Sequence, residues 1–67
     1  MRIPKVINRA ISHRRNQVNG ALVLTVEVTD GSMIWFESRQ FYGYELREAK
    51  LILLRQLDAD RLKVVVY

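Results

Sequence analysis

The chain has 67 residues, no cysteine, one histidine and a formal net charge of +4, and 49% of its residues are hydrophobic. This length allows one domain, residues 1–67, and the hydrophobic content argues against intrinsic disorder. The lack of cysteine excludes disulfides and thiolate metal sites, and one histidine cannot make a metal site without a cluster of carboxylates. We therefore expect neither a metal nor a cofactor.

The positive charge is concentrated at the N-terminus. Residues 1–26 contain five basic residues and no acidic residue, whereas residues 27–67 contain six basic and seven acidic residues. This asymmetry indicates either a surface for a polyanion or a solvated face that keeps a small protein soluble. Because no apolar run is long enough to span a membrane and no secretory signal is evident, we expect no membrane association and a cytoplasmic location.

The first predicted element is an amphipathic helix over residues 2–15, where apolar side chains recur at helical spacing. Pro4 suits the first turn of such a helix, since its missing N–H costs nothing there. A strand is the competing interpretation, with Asn19-Gly20 as a hairpin turn. We favour the helix, because residues 12–18 show almost no apolar alternation. The apolar helical positions are Ile3, Val6, Ile7, Ala10 and Ile11.

A β-hairpin is predicted next. Residues 21–29 are apolar at alternate positions on one face and half apolar on the other, which is typical of a central strand. Asp30-Gly31 then predicts a tight turn, because both residue types tolerate positive φ. The second strand is expected over residues 33–38.

Five of the six aromatic residues lie between residues 35 and 44. Trp35 and Phe36 must face opposite sides of the strand, and we expect Phe36 to lie in the core with Ile34. Trp35 then lies on the other side, covered by the N-terminal helix or exposed as part of an interaction patch. Phe41 is expected to fill the corner before the next helix, where Gly43 breaks the chain.

The last elements are a helix over residues 45–57, a turn at residues 58–60 and a strand over residues 61–67. The fold class is α+β, a two-layer α-β-β-α-β domain with a three-stranded mixed sheet and an Asp-Gly hairpin. The sheet is mixed if the helix that follows the second strand leads to a third strand parallel to a neighbour. If instead the first strand, residues 21–29, is central, it is antiparallel to both of its neighbours. One stripe of the second helix is expected to face the sheet, namely Leu46, Ala49, Leu53 and Leu57.

Catalytic motifs are missing, so we do not expect an enzyme. His13 is the only imidazole, and adjacent helical residues point too far apart for Ser12 and His13 to form a nucleophile–base pair. The three glycines are isolated, which excludes a glycine-rich phosphate loop.

The specific function that the sequence favours is nucleic-acid binding, with DNA and RNA both open. Clustered arginine and lysine give affinity for phosphates by releasing counterions, and aromatic side chains stack on unpaired bases. Trp35 and Tyr42 are the predicted stacking residues. The predicted phosphate contacts are Arg2, Lys5, Arg9, Arg14 and Arg15.

The alternative is a small protein-interaction or assembly module, an adaptor that does not bind nucleic acid. The apolar last strand and the wide leucine stripe favour association with another chain. A homodimer is therefore expected.

Overall fold

A computed structural model describes residues 2–67 and contains two helices and four strands. The strands form one antiparallel sheet in which β2 is central. β3 pairs with the whole length of β2 on one side, while β1 and β4 share its other side. The elements are α1 (Lys5–Ala10), β1 (Ser12–Arg15), β2 (Leu22–Thr29), β3 (Ile34–Phe41), α2 (Leu46–Ala59) and β4 (Lys63–Val64).

The core lies between α2 and one face of the sheet. The inward side chains of β2 alternate along the strand, and the predicted stripe of α2 packs against them, with Leu46 half-buried at its start. The prediction of a central strand is confirmed, as is the two-layer α+β arrangement. The largest fully buried side chains are Leu24, Val26, Val28, Leu53 and Leu57.

The predicted N-terminal helix is wrong beyond Ala10. The chain turns extended at Ile11, with φ −93° and ψ 111°, and Ile11 is buried in the core. β1 follows at Ser12–Arg15 and pairs with the first half of β2. All four residues of β1 are exposed, which is why the strand shows no apolar alternation.

The loop between β1 and β2 is the hairpin that the competing interpretation placed at Asn19-Gly20. Asn16 N donates to Ala21 O and Gly20 N donates to Asn16 O, both at 2.8 Å. Gly20 has φ +73°, a conformation that residues with a Cβ rarely adopt. The strand interpretation is therefore correct for this part of the chain.

The Asp-Gly hairpin between β2 and β3 is confirmed. Asp30 Oδ1 accepts hydrogen bonds from the backbone N–H groups of Ser32 and Met33, each at 2.9 Å. Gly31 has φ +101°. The carboxylate thus takes the place of backbone acceptors inside the loop, as aspartate commonly does in turns.

β3 is longer than predicted, and its faces are reversed. It runs to Phe41 rather than ending at residue 38, and its half-buried and buried positions are Trp35, Glu37, Arg39 and Phe41. Trp35 therefore packs against the core, and Phe36 is 70% exposed. The assignment of Phe36 to the core was wrong because a two-residue period fixes alternation without fixing which face is inside.

The C-terminal half also differs in detail. α2 extends to Ala59, so most of the predicted turn is helical. β4 spans only Lys63–Val64, and Val65 N adds one hydrogen bond to Glu27 O at 2.9 Å. The predicted three-stranded mixed sheet is corrected to a four-stranded antiparallel one.

Candidate nucleic-acid interface

The sheet face opposite α2 is called the open face. Directly paired residues of an antiparallel sheet share a face, so the register defines its members. One row joins Arg14, Val23 and Gln40, and the next joins Ser12, Thr25 and Ser38. A third row pairs Glu27 with Phe36. The Thr25 and Ser38 hydroxyls are 2.8 Å apart and bind each other across the strands.

The side chains of Phe36 and Tyr42 are exposed on or beside this face. Phe36 is 70% exposed and Tyr42, just after β3, is 60% exposed. The Tyr42 hydroxyl donates to Gln40 Oε1 at 3.0 Å and accepts from Asn19 Nδ2 at 3.3 Å. These bonds hold the hydroxyl end of Tyr42 beside Gln40, and therefore on the side of the open face.

Arg14 and Arg15 are adjacent in sequence but lie on opposite sides of the sheet. Arg14 pairs with Val23 on the open face, whereas Arg15 pairs with Leu22, whose side chain is in the core. Arg15 Nη1 donates to Gly20 O at 2.9 Å and so braces the β1–β2 loop. Of this predicted pair, Arg14 alone shares a face with the exposed aromatic side chains.

The other predicted phosphate contacts lie near the N-terminus. Arg2, Lys5 and Arg9 are all exposed, and Lys5 and Arg9 are one helical turn apart in α1. His13 follows Arg9 by another four residues, but it does not extend this row of side chains, because α1 ends at Ala10 and His13 lies in β1. Within residues 2–67, the ion pairs are those of Arg39 with Asp60 at 3.1 Å and with Glu37 at 3.8 Å, which leaves the N-terminal cations unpaired.

Trp35 is separated from Tyr42 by the sheet. It lies on the side of α2, is half-buried and packs against the core. Its indole Nε1 donates to Glu37 Oε1 at 2.7 Å. The predicted pair of stacking residues is thus not brought together, and of Trp35 and Phe36 it is Phe36 that is exposed.

A groove of about 390 Å³ borders the open face. Arg9 of α1, Phe36 of β3 and the C-terminal residues 65–67 form its walls, and Thr25 and Glu27 also line it. Hydrogen bonding to the Glu27 carboxylate is the main cause that raises the pKa of the Tyr67 phenol. The groove therefore combines a cation, an anion and two aromatic rings, and it joins α1 to the open face.

Sequence reasoning missed Phe36 as an exposed residue, although one signal for it was present. Phe41 and Trp35 are six residues apart, so they share a face of any strand that includes both. Ending the strand at residue 38 removed that link. Continuing it to Phe41 would have placed Trp35 inside and Phe36 outside.

No group of three or more His, Asp or Glu side chains in residues 2–67 is placed to hold a metal ion. The same part of the chain has no helix with the length and apolar character needed to cross a membrane. Comparison of the sequence and structure with models of known protein families, with curated proteins and with solved structures returned no match.

Proposed function

We propose that this protein binds single-stranded nucleic acid, DNA or RNA, on the open face of its sheet. The observation that carries the proposal is the exposure of Phe36 and Tyr42, at 70% and 60%, on the side of the sheet that also presents Arg14. An exposed aromatic ring stacks on any base, at about 1–3 kcal/mol per base. A nearby arginine supplies the phosphate contact that makes such binding salt-dependent.

The dimensions of the face suit an extended strand of nucleic acid. Phe36 and Tyr42 are six positions apart, which corresponds to about 20 Å along an extended chain. They would therefore stack on different bases of one strand. Gln40, between them, is exposed and carries an amide that pairs with base edges.

The cations around the face support backbone contacts. Arg14 lies at the β1 side of the open face, and Arg9 lines the groove next to Phe36. Lys5, at the start of α1, and Arg2, which precedes the helix, add two further exposed positive charges. We propose that phosphates run along the β1 and α1 side of the sheet while bases lie over β3.

The direct test is fluorescence anisotropy of labelled single-stranded DNA and RNA oligonucleotides across a salt series. Binding is expected at low salt, and the logarithm of the association constant should fall by about 0.7 per phosphate contact for each unit of log salt. A duplex of the same sequence should bind more weakly, because its bases are not free to stack. No binding of either single strand at low salt would overturn the proposal.

A protein-binding module is the second candidate function. Met33, just before β3, is 66% exposed, and Ile34, the first residue of β3, is 58% exposed and shares a face with Phe36 two residues later. Such an apolar group favours contact with another protein. This candidate predicts that the oligonucleotides do not bind, and that Ile34→Ser and Phe36→Ser leave the fold intact while raising solubility.

A further inference from the structure

β3 has one paired edge and one free edge. The hydrogen bonds Asn16 N to Ala21 O and Val65 N to Glu27 O show that odd-numbered residues of β2 direct their backbone groups away from β3. Even-numbered residues of β2 therefore bond to β3, and through the register their partners are the odd-numbered residues of β3. The backbone groups on the free edge consequently belong to Ile34, Phe36, Ser38 and Gln40.

This edge is long, regular and uncovered. Eight residues of β3 pair one-to-one with β2, so the strand has no bulge, and residues 34–41 contain neither proline nor lysine. Within residues 2–67, these outward backbone groups make no hydrogen bond to another part of the chain. Proteins usually protect such an edge, because its unpaired N–H and C=O groups are a template for another strand.

The charges on β3 make the edge complementary to itself. Glu37 and Arg39 lie two residues apart on the side of α2, and their side chains are 28% and 23% exposed. When two copies of a strand pair antiparallel about a two-fold axis at one residue, the residue before it in one copy lies opposite the residue after it in the other copy. An acid and a base on either side of the central residue are therefore brought opposite each other. The central residue is Ser38, whose backbone groups lie on the free edge.

We propose that two copies of this chain pair through their β3 edges, antiparallel, about a two-fold axis at Ser38. In this register Glu37 lies opposite the partner's Arg39, and Arg39 lies opposite the partner's Glu37. The pairing forms a continuous sheet from two copies of the four-stranded one. It is an isologous contact, in which the same surface is used by both subunits and closes on itself.

Neighbouring registers are unfavourable. Moving the two-fold axis to Glu37 places the two glutamates opposite each other, and moving it to Arg39 places the two arginines opposite each other. Like charges directly across a strand pair are destabilising. The charges on β3 therefore favour the Ser38 register over the two registers next to it.

The remaining pairs also match in this register. On the side of α2, Trp35 lies opposite the partner's Phe41, which extends the apolar layer across the interface. On the open face, Phe36 lies opposite the partner's Gln40, so the two open faces become one surface. The dimer does not depend on the proposed nucleic-acid binding, and its tests need no oligonucleotide.

The first test uses a single cysteine in a chain that has none. In Ser38→Cys, the two thiols face each other at a hydrogen-bonded pair with Cα atoms about 5.5 Å apart, within the disulfide range of roughly 4.4–6.8 Å. Mild oxidation should give a covalent dimer. Gln40→Cys is the matched control. In the proposed register Gln40 lies opposite the partner's Phe36, which is four residues, or about 13 Å along the strand, from the partner's Gln40. Equal cross-linking of the two variants would overturn the register.

The second test exchanges the charges and measures the dimer by sedimentation equilibrium. Glu37→Arg and Arg39→Glu each place like charges opposite each other and should weaken self-association about tenfold. Mixing the two variants restores both opposite-charge pairs, so a heterodimer should form with near-original affinity. A native chain that stays monomeric at high concentration, or a mixture that associates no better than its components, would overturn the proposal. Because Ser38 is exposed, the cysteine test remains decisive if the charge variants fold poorly.

Discussion

Trp35 and Phe36 are consecutive residues of β3 and lie on opposite faces of the sheet. Trp35 packs against the core and bonds to Glu37 at 2.7 Å, whereas Phe36 is 70% exposed. The larger ring stabilises the fold, and the smaller one is available to a ligand. This division of roles can be tested by changing each residue separately.

Trp35→Ala should lower the free energy of unfolding by about 2–3 kcal/mol, less than for a fully buried tryptophan, because the side chain is only half-buried. Phe36→Ala should change it by no more than about 0.5 kcal/mol, as is usual for exposed positions. Urea unfolding followed by circular dichroism measures both. A larger loss for Phe36→Ala than for Trp35→Ala would contradict the face assignment.

Arg14→Ala and Arg15→Ala form a matched pair for ligand binding. Both remove one positive charge from adjacent positions of β1, but Arg14 alone lies on the open face. Arg14→Ala should reduce the salt slope for a single-stranded oligonucleotide by about 0.7, and Arg15→Ala should leave it nearly unchanged. Anisotropy titrations at several salt concentrations give the slopes. Equal effects of the two variants would mean that binding follows net charge rather than the open face.

The sequence predicted the elements whose patterns have a single explanation. Residues 21–29 are apolar on both faces, and a central strand is the structure that buries such a segment. The leucine stripe of the second helix is equally clear, and Ala49, Leu53 and Leu57 are all buried in the structure. Asp30-Gly31 gave the position of the hairpin, because few residue pairs suit that turn.

The errors lie in segments where the hydrophobic pattern of the sequence does not reveal which residues are buried. Ser12–Arg15 is a side strand with no buried residue, so hydrophobic alternation cannot reveal it. In β3, Glu37 and Arg39 lie on the side of α2, where Glu37 accepts a hydrogen bond from Trp35 and Arg39 donates to Gln56 and Asp60. These two charged residues lowered the hydrophobicity of the inner face. For the same reason, the sequence predicted Trp35 rather than Phe36 as a stacking residue of the candidate site.

Arg61→Gly should stabilise the protein by about 0.5–1 kcal/mol. Arg61 follows the end of α2 with φ +59°, where Arg61 N bonds to Asp58 O and Leu62 N bonds to Leu57 O. This is the Schellman arrangement, which favours glycine because a Cβ is strained in the left-handed region. Thermal unfolding would measure the gain, with Lys63→Gly in β4 as a control that should destabilise. A loss of stability in Arg61→Gly would contradict the assigned helix end.

Asp30 should make stability fall at acidic pH. The backbone N–H of Met33, then the backbone and hydroxyl of Ser32, hold the pKa of Asp30 below its ordinary value. A lowered folded-state pKa contributes stability above the unfolded-state pKa, and this is lost as pH falls from about 4 towards 2. Asp30→Asn keeps an acceptor oxygen but cannot titrate, so its stability should decline less over this range. The check is the free energy of unfolding of the native protein and of Asp30→Asn between about pH 4 and pH 2. An equal decline in both proteins would show that the carboxylate does not have this role.

The most direct measurement of the central claim is an NMR titration of the isotope-labelled protein with a single-stranded oligonucleotide at low salt. Binding on the open face predicts shifts of the backbone amides of Arg14, Phe36, Gln40 and Tyr42 and of the rings of Phe36 and Tyr42. Arg47 and Arg55, exposed on α2, should not move. Shifts confined to α2, or no shifts at all, would contradict the account.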